Sequence, residues 1–413
     1  MSAERSGRTA VTGIGVVAPN GLRTDAYWKS VREGVSVLDR ITRDGCGHLP
    51  LRVAGEVRGF DPSSLIEETF LVQTDRFSHF AMAAAGAALE DAGLSGTAAE
   101  SPYSVGVVTA AGSGGGEFGQ RELQKLWGQG SRYVGPYQSI AWFYAASTGQ
   151  ISIRGGFKGP CGVVASDEAG GLDAVAHAGR TVRRGTDVVV VGAAEAPLAP
   201  YSMVCQLGYP DLSTAEDPAV AYRPFTSGAR GFVPAEGGAV LVVEDPDRAR
   251  RRGAAVRATV AGHAATFTGA SRWDRSREGL ARAIRGALDE AGCAPEEIDV
   301  VFADALGTPE ADRAEALALA DALGRHGTRV PVTAPKAGFG RAYCGGPVLD
   351  IAAAVLAMEH GQVPPTPGVF DICHDIDLVT AAARPAELRT ALILSRGLMG
   401  SNAALVLRQG EHA

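Results

Sequence analysis

The sequence predicts an α/β protein built from two similar halves, and three observations support this prediction. Short runs of β-branched and small apolar residues alternate with longer stretches in which apolar residues recur at helical spacing. Of the 413 residues, 46% are hydrophobic and 21% are charged, as in soluble globular enzymes. The 54 glycines are unusually many, and many of them fall where a predicted strand meets a predicted helix, which indicates tight turns.

The first half opens with a predicted strand over Thr9–Val17, which ends in the turn signal Pro19-Asn20-Gly21. A helix over Thr24–Glu33 follows, and apolar side chains at helical spacing predict a second helix over Arg76–Ala92. Buried strands are predicted at four further places in this half, namely Ser104–Ala110, Cys161–Ala165, Asp187–Val191 and Ala239–Val243.

The second half repeats this opening with a strand over Ala258–Ala265 and a helix over Ser276–Ala291. Each half later has a strand, a sharp turn and a helix of small residues, at Val163–Arg180 and at Val330–Met358. The charge-rich stretch Asp245–Gly253 lies between them, and because no Pro- or Ser-rich linker marks it, we expect the halves to pack tightly. We therefore place the N-terminal half at 1–253 and the C-terminal half at 254–413.

Charge, hydropathy and residue spacing exclude several classes of function. The formal net charge of −7 argues against nucleic acid as a partner. No apolar run reaches the ~18–20 residues that a membrane helix needs, and the N-terminal residues lack the pattern of a secretory signal, so no membrane partner is expected. The six cysteines are far apart and no histidine has metal-ligand spacing. We therefore expect free thiols, no bound metal and a cytoplasmic location.

The most informative segment leads from a strand through Ser166-Asp167-Glu168 into a helix over Leu172–Arg184. A sharp strand-to-helix turn presents one side chain at a helix N-terminus, where free N–H groups and the helix dipole favour a nucleophile or a negative charge. Glu168 is predicted at the apex of this turn. From spacing alone, the interpretation that Asp167 and Glu168 only interact favourably with the dipole is preferred over a catalytic one.

The residues that follow the apex, Gly170-Gly171-Leu172-Asp173-Ala174-Val175, resemble the active-site elbow of β-ketoacyl synthases, which are members of the thiolase-like family. The resemblance covers nearly the whole chain and includes Val11–Val17, Arg223–Phe225 and Pro234–Ala239. It implies the thiolase-like duplicated fold, layered α-β-α-β-α. The synthases carry a Cys nucleophile at the position that Glu168 holds here.

The two other catalytic positions of the synthases are also changed. The synthases have one His before a Gly-Thr pair, where this chain has Leu306, and a second His after a Lys and a Gly, where it has Arg341. Lys336 alone matches the pattern. Condensation needs a thiolate, donors that stabilise an enolate and an acid–base group. We therefore expect no catalytic residues in this chain and interpret these positions as vestigial.

This combination resembles the chain-length factor, the β subunit of bacterial type II polyketide ketosynthases, as do the stretches Glu117–Gln124, Ala141–Tyr144 and Ala334–Lys336. The resemblance implies a heterodimer with a catalytic ketosynthase α subunit, whose Cys holds the growing poly-β-keto chain. It also implies an acyl carrier protein as partner. The phosphopantetheine belongs to that carrier, so no cofactor is expected here. In this family the elbow strand, here Cys161–Ala165, pairs across the heterodimer interface.

The resemblance also implies a length gate in the tunnel at the interface, formed by Gly116, Gly119, Leu123 and Tyr201. The first three are spaced i, i+3 and i+7, which places them on one face of a helix. Bulk at these positions would shorten the tunnel, so the two glycines predict an open tunnel and a long product. The alternative is that Gly112–Gly116 is only a loop and that Gly119 is tolerated near a helix start.

Two functions stay open at this point. The first is a non-condensing subunit that shapes the tunnel, and the second is a malonyl-acyl-carrier-protein decarboxylase that supplies the acetyl primer. Relatives with Gln at the elbow can donate a hydrogen bond to an enolate. Glu168 could donate only when protonated, which we expect a helix N-terminus and a nearby Arg to oppose. We predict instead a buried ion pair between Glu168 and Arg341.

Three weaker features complete the predictions. Cys344, near a helix start, and Cys161, which we expect to be a small core residue, are poor candidates for a replacement nucleophile. The arginines between Arg248 and Arg257 are expected to form a solvated helix face balanced by nearby acids, although they could attract an acidic carrier protein. A polar network near the first vestigial His position is expected from four residues: Asp304, Asp312, Arg313 and Glu315.

Overall fold

The computed structural model describes residues 9–94, 101–269 and 273–410. The α-helices in these ranges are α1 (Thr24–Arg32), α2 (Glu68–Leu71), α3 (Arg76–Asp91), α4 (Gly116–Gln129), α5 (Gln138–Ala141), α6 (Ala146–Gly155), α7 (Gly170–Arg183), α8 (Pro200–Gln206), α9 (Pro246–Arg251), α10 (Trp273–Ala291), α11 (Pro309–Leu323) and α12 (Gly345–His360). The strands are β1 (Thr9–Val17), β2 (Asp39–Arg40), β3 (Val53–Ala54), β4 (Val105–Ala110), β5 (Cys161–Val164), β6 (Val188–Glu195), β7 (Gly237–Glu244), β8 (Ala258–Phe267), β9 (Val300–Phe302), β10 (Pro331–Thr333), β11 (Gln362–Val363), β12 (Asp377–Leu378), β13 (Arg384–Pro385), β14 (Thr390–Arg396) and β15 (Ser401–Gln409).

One mixed sheet runs through both halves in the order β12-β10-β9-β14-β15-β8-β1-β7-β6-β4-β5. Outward from its centre, the series β1-β7-β6-β4-β5 and β8-β15-β14-β9-β10 have the same pattern, two antiparallel contacts followed by two parallel ones. The predicted internal repeat is therefore present in strand order and direction. The two series join where β1 pairs with β8 through Thr9, Ala10 and Val11.

The helices form layers on and between the two strand series. Helix α3 packs on β1, β6 and β7, and α10 packs on β8 and β15 and against α11, so these helices cover the outer faces. Helices α7 and α12 contact each other and pack on strands of both series. Their apolar side chains, such as Leu172 and Ile351, belong to one core cluster with strand residues of both halves. This is the layered α-β-α-β-α fold that the resemblance implied.

The predicted elements are present, and their ends differ from the prediction by a few residues. The strand over Thr9–Val17 is confirmed without change. The strand predicted to end at Val191 continues to Glu195, because each added residue pairs with β7 as far as Gly237. The helix predicted from Leu172 begins two residues earlier. The division at residue 253 remains a prediction.

The charged stretch between the halves is anchored to buried acids and is not a solvated face. Arg248 and Arg252 both bind Glu244, whose side chain is fully buried, and Arg257 binds Glu359. A buried carboxylate needs such partners because an unpaired charge is costly away from water. The predicted balance by nearby acids is therefore confirmed for Arg248 and Arg252, but these two arginines and Arg257 are largely buried and do not form the predicted solvated face. The exposed Arg250, paired with Asp247, fits the whole prediction.

Candidate functional site

The elbow between β5 and α7 is a strained turn. Asp167 has φ of +59°, a left-handed conformation that residues other than glycine seldom adopt. Its short polar side chain tolerates this conformation, and its Oδ2 accepts a hydrogen bond from the Met399 N–H at 2.7 Å. The turn places the next residue, Glu168, inside the protein with 3% exposure. The apex residue predicted from the sequence is therefore buried in the isolated chain.

The Glu168 carboxyl is incompletely hydrogen-bonded. Its Oε2 accepts from the Leu398 N–H at 3.0 Å and lies 3.7 Å from Nη2 of Arg341, while its buried Oε1 has no hydrogen-bond partner among the described residues. Burial raises the pKa of Glu168 to about 8, and Arg341 only partly opposes this increase. The carboxyl is thus largely protonated at neutral pH. Arg341 opposes protonation, as expected, but desolvation by burial has the larger effect on the pKa of Glu168.

Arg341 pairs mainly with a different carboxylate from the one predicted. Its Nη2 donates to Asp304 Oδ1 at 2.7 Å and to the Arg396 carbonyl oxygen at 2.6 Å, and its Nη1 donates to the Asp304 carbonyl oxygen at 3.1 Å. The guanidinium also lies over the Phe232 ring, 5.8 Å from its centroid. The predicted contact with Glu168 is present at ion-pair distance, but it is the weaker partner of the two.

Asp304 is the centre of a buried charge network. Its Oδ2 lies 3.1 Å from Nε of Arg396, whose Nη2 lies 2.8 Å from Glu315. Burial would raise the pKa of Asp304, but Arg341, Arg396 and Lys336 together lower it to about 2. Glu315 in turn accepts the backbone N–H of Asp304 at 2.7 Å. This network therefore holds three cations around one ionised carboxylate.

The predicted polar network needs two corrections. Arg313 is exposed and is not part of it. The missed member is Arg396, which is fully buried at the end of β14. A charged residue that closes an otherwise apolar strand was the available signal. Asp312 belongs to the site as predicted, because it accepts from the Gly307 N–H at 2.9 Å, and burial raises its pKa to about 7.

Lys336, the one residue that matches the synthase pattern, is bound by protein groups. Its Nζ donates to the Ala303 carbonyl oxygen at 2.7 Å and lies 2.6 Å from Oδ2 of Asp350 on α12. Burial raises the pKa of Asp350, and Lys336 opposes this effect. The ammonium group therefore ties the segment before Arg341 to β9 and α12.

Leu306 fills the first vestigial His position with hydrocarbon. It is fully buried in an apolar cluster that includes Tyr222, Phe232 and Leu398. The preceding Ala305 has φ of +52°, and its carbonyl oxygen accepts from the Tyr222 hydroxyl at 2.6 Å. The backbone is thus held in an unusual conformation, although the residue it presents can neither donate nor accept a proton.

The two cysteines considered as replacement nucleophiles differ in their surroundings. Cys344 is buried, its Sγ donates to the Asp167 carbonyl oxygen at 3.1 Å, and burial raises the pKa of the thiol well above its usual value. A thiol of this kind is a poor nucleophile, because the thiolate is the reactive form. Cys161 is exposed. The prediction of a core position is wrong, since β5 is the last strand of the sheet and has a neighbour only in β4.

The four predicted gate residues lie on α4 and in the first turn of α8, two helices that contact each other. A Cβ added at Gly116 would lie 2.1 Å from Ser202 Oγ, and one at Gly119 would lie 2.9 Å from Cδ1 of Trp142. In the isolated chain the glycines therefore permit close packing and do not leave open space, so the expected open tunnel has no support from them. Leu123 and Tyr201 are exposed by 38% and 50%.

Six exposed aromatic side chains lie on α4 and in the segment that follows it, and one of them, Trp142, meets the predicted gate at Gly119. Ala141–Tyr144 is part of the family resemblance, but no exposed surface was predicted from the sequence. We call this group the aromatic surface. Its residues, on α4 and in the segments on either side of α5, are Trp127, Tyr133, Tyr137, Trp142, Phe143 and Tyr144. Large exposed apolar patches of this kind mark protein interaction sites.

The described residues contain no group of three His, Cys, Asp or Glu side chains that could hold a metal ion. In those same ranges, no helix combines the length and apolarity that a membrane span requires.

Comparison with known proteins identifies the family. Residues 7–249 match the β-ketoacyl synthase N-terminal domain and residues 257–369 match the C-terminal domain. The chain is 84% identical to a putative polyketide β-ketoacyl synthase 2 of Streptomyces cyaneus over 98% of this chain and 97% of that protein. It is 50% identical to the tetracenomycin polyketide synthase ketoacyl synthase β subunit of Streptomyces glaucescens over 97% of this chain and 98% of that protein.

Among solved structures, the ishigamide ketosynthase/chain length factor is similar with a TM-score of 0.90 at 28% identity, covering 98% of this chain and 100% of that chain. A ketosynthase complex with a type II polyketide acyl carrier protein, AntDE:AntF, has a TM-score of 0.87 at 26% identity, covering 98% and 100%. The chain therefore belongs to the β-ketoacyl synthase family, within its group of polyketide synthase β subunits, the chain-length-factor type.

Proposed function

We propose that this chain is a non-condensing chain-length factor that pairs with a catalytic ketosynthase α subunit and shapes the interface tunnel in type II polyketide biosynthesis. The observation that carries the proposal is which residues stand at the three positions where the synthases have their reactive Cys and two His residues. Glu168 is a buried carboxyl, Leu306 is packed in hydrocarbon, and Arg341 is bound to Asp304.

Each step of condensation lacks its group in this arrangement. Acyl transfer needs a thiolate, but the elbow carries a carboxyl and the nearby Cys344 thiol is held neutral by burial. Decarboxylation of malonyl and the following condensation need donors and a proton-transfer group that imidazoles supply in the synthases. Leu306 offers neither, and the Nη atoms of Arg341 already donate to protein oxygens. The chemistry is therefore assigned to the partner subunit.

Two features of the surface support pairing. The free side of β5 leaves backbone N–H and C=O groups without strand partners, and such an edge is suited to pairing with a second chain. The aromatic surface adds the large rigid side chains that interfaces favour. The ishigamide and AntDE:AntF structures carry the names of a ketosynthase/chain length factor and of a ketosynthase bound to its carrier protein, which makes these two partners the natural ones here.

Two of the four proposed gate residues are exposed, whereas Gly116 and Gly119 are buried in the isolated chain. Leu123 and Tyr201 are half-exposed beside the aromatic surface, so an α subunit docked there would cover them and enclose them in the tunnel. We further propose that the chain uses no cofactor of its own, since the carrier protein brings the phosphopantetheine-bound acyl chain. A cytoplasmic location is consistent with the six free cysteines.

The test is coexpression with the α subunit encoded in the same gene cluster, followed by native mass measurement and product analysis with a malonyl-loaded carrier protein. We expect a one-to-one complex whose product forms equally with wild type and with Glu168→Ala. Leu123→Trp should shorten the product without reducing the number of chains started. The proposal would be refuted if the product length were the same with Leu123→Trp as with wild type and the chain formed no complex with the α subunit.

One observation favours a second function, a malonyl-acyl-carrier-protein decarboxylase. Glu168 is largely protonated at neutral pH, and its Oε1 has no hydrogen-bond partner in the described residues, so the group could donate to an enolate oxygen. In that reaction the bond between the carboxylate and the α carbon breaks, carbon dioxide leaves, and the electron pair forms the enolate, which then takes a proton.

This second function predicts that the chain alone releases carbon dioxide from a malonyl carrier. Glu168→Gln, which keeps a donor, should then retain the activity, and Glu168→Ala should lose it. A chain that releases no carbon dioxide above the buffer background leaves only the non-condensing role.

A further inference from the structure

The buried carboxyl of Asp75 is a hydrogen-bond acceptor that two helices share. Its Oδ1 accepts from the Phe77 N–H in the first turn of α3 at 3.2 Å, and its Oδ2 accepts from the Phe118 N–H in the first turn of α4 at 2.6 Å. Phe77 and Phe118 hold the second and third positions of their helices, where a capping side chain normally accepts a free N–H. One carboxyl therefore caps both helices.

The start of α4 has no room for a capping side chain of its own. Gly115 holds the usual capping position, and a Cβ added there would lie 2.0 Å from the Ala141 carbonyl oxygen. The Gly115 N–H also donates to the Trp142 carbonyl oxygen at 3.2 Å. Because the Ala141–Trp142 backbone approaches so closely, the cap of α4 has to come from elsewhere, and Asp75 at the start of α3 supplies it.

Two parts of the aromatic surface meet at this contact. Trp127 stands on α4, and Trp142 stands in the segment that packs against the start of that helix. The loop before α4 has a separate anchor at its other end, where Glu195 accepts from the Gly112 N–H at 2.5 Å. Loss of the Asp75 contact would therefore release the first turn of α4 and its junction with Trp142, while the start of the loop stays bound.

We propose that Asp75 is a positioning residue for partner binding: by capping α3 and α4 together, it holds the two parts of the aromatic surface in the arrangement that the ketosynthase α subunit binds. This inference rests on the proposed function. An amide of the same size, as in Asp75→Asn, has one acceptor oxygen and an NH₂ group that cannot accept from an N–H. Such a side chain can cap only one of the two helices.

The double cap also requires an ionised carboxyl, because a protonated one has lost an acceptor oxygen. Burial raises the pKa of Asp75 to about 6, although the two N–H groups oppose this effect. The protein should therefore change from the double to a single cap as pH falls through about 6, and the complex with the α subunit should weaken over the same range.

The other charged or titratable side chains on the first turns of the two capped helices are Arg76, His79, Glu117 and Arg121. Glu117 raises the pKa of Asp75 and Arg121 lowers it. His79 stays neutral near pH 6, because burial lowers its pKa to about 4, and Arg76 is paired with the buried Glu236. The Ala141–Tyr144 segment carries no carboxylate, histidine or cation. Asp75 is thus the group of this junction that titrates near pH 6.

The experiment measures the dissociation constant of the complex between the full chain and its α subunit, by analytical ultracentrifugation on dilution. At about pH 8, well above the pKa of Asp75, we expect Asp75→Asn to dissociate about tenfold more readily than wild type, the effect of losing one hydrogen bond to a charged group. At about pH 5, the ratio of the two dissociation constants should fall toward one, because wild type has then lost the same acceptor.

The matched controls are at Asp245, whose Oδ1 caps α9 by accepting from the Arg248 N–H at 3.0 Å. Asp245→Asn makes the same replacement and keeps that acceptor, whereas Asp245→Ala removes the cap. Helix α9 packs on β1, so both variants should leave the dissociation constant unchanged. An Asp245→Ala effect equal to that of Asp75→Asn would overturn the inference, since any lost cap would then act through general stability.

The remaining outcomes separate this inference from the proposed function. If wild type forms the complex and Asp75→Asn binds equally well at pH 8, the role of Asp75 is overturned and the chain-length role stands. A tenfold difference that persists at pH 5 would also overturn it, because the effect would not depend on the second acceptor. If wild type forms no complex, the proposed function fails and this inference with it. Should Asp75→Asn not fold, Asp75→Ser, which keeps an oxygen to cap α3, replaces it in the same comparison.

Discussion

The vestigial reactive centre and the aromatic surface of this protein differ in nearly every physical respect. In the centre, Glu168, Leu306 and Arg341 are at most 4% exposed, and most of the polar groups around them bind one another. On the aromatic surface, Trp127 is 84% exposed, and the other five aromatic side chains are also exposed to solvent. The interior site therefore satisfies most of its charges within the chain, whereas the aromatic surface leaves large apolar side chains exposed.

The reason lies in the cost of burying charge. Arg341, at the second His position of the synthases, needs a carboxylate, and Asp304 supplies it. Asp304 also pairs with Arg396, which in turn pairs with Glu315. Such substitutions are coupled, because removing one partner leaves another charge unpaired. Exposed aromatic residues carry no such constraint, so the surface can vary one residue at a time.

The largest effect on stability is expected from replacing Asp304, the carboxylate that pairs with both buried arginines of the vestigial centre. Asp304→Ala would leave Arg341 and Arg396 buried without their main carboxylate. We expect the free energy of unfolding to fall by about 3–5 kcal/mol, measured by chemical denaturation. Asp247→Ala, which removes an exposed carboxylate paired with Arg250, should change it by less than about 1 kcal/mol. Equal effects of the two variants would show that the centre is no more tightly coupled than the surface.

The next largest effect concerns the packing beneath the gate. Gly116→Ala places a Cβ 2.1 Å from Ser202 Oγ, so this hydroxyl must turn away and the change should destabilise the protein by about 1 kcal/mol, and Ser202→Gly should restore part of the loss in the double variant. The matched control is Gly128→Ala on the same helix, where an added Cβ meets no atom within 4 Å. That change should stabilise by up to about 1 kcal/mol. Additive effects of Gly116→Ala and Ser202→Gly would contradict the close contact.

A third effect, visible as a slope against pH with only a small change per pH unit, concerns Glu168. Its pKa of about 8 in the folded protein, against 4.5 as its ordinary value, means that the folded state holds a proton that the unfolded state has released. The wild-type free energy of unfolding should therefore fall relative to that of Glu168→Gln as pH rises from about 4.5 to about 8. The difference should change by at most about 1.4 kcal/mol per pH unit. Parallel pH profiles for the two proteins would show that Glu168 is ionised throughout.

The smallest effect requires no change in stability. Cys161 on the free edge of β5 is exposed, whereas Cys344 is buried and its thiol has a raised pKa. Alkylation of the isolated chain, followed by mass spectrometry, should modify Cys161 readily and leave Cys344 unmodified. In the complex with the α subunit, Cys161 should become protected. The exposed Cys373 serves as the control that stays reactive, and continued labelling of Cys161 in the complex would place the interface elsewhere.

Much of the fold could be predicted from the sequence. The alternation of strand and helix patterns predicted the α/β class, and the recurrence of strand, turn and helix predicted the repeat that the strand order confirms. The elbow at Glu168 was also predictable, because strand, tight turn and small-residue helix are local features. Changed catalytic positions at Leu306 and Arg341 could be identified from the residues that flank them.

The environment of those residues could not be predicted. Arg341 is hydrogen-bonded to Asp304 and not to Glu168. Arg396, 55 residues further along the chain, lies in the same site, because the sheet and α12 bring distant segments together. From the sequence, Gly116 and Gly119 predicted open space at the gate, but Ser202 on α8 and Trp142 occupy the space beside them. Cys161 follows a buried-strand pattern, but its strand lies at an edge.

The sequence by itself determined which groups are present at the elbow, at the gate and at the two former His positions, since these are properties of single residues and short patterns. Only the tertiary structure decided their protonation, their partners and their exposure. Burial, which raises the pKa of Glu168 to about 8, is the summed effect of surrounding atoms from remote segments. Charge pairing and strand position likewise depend on which segments meet, and local sequence does not contain that information.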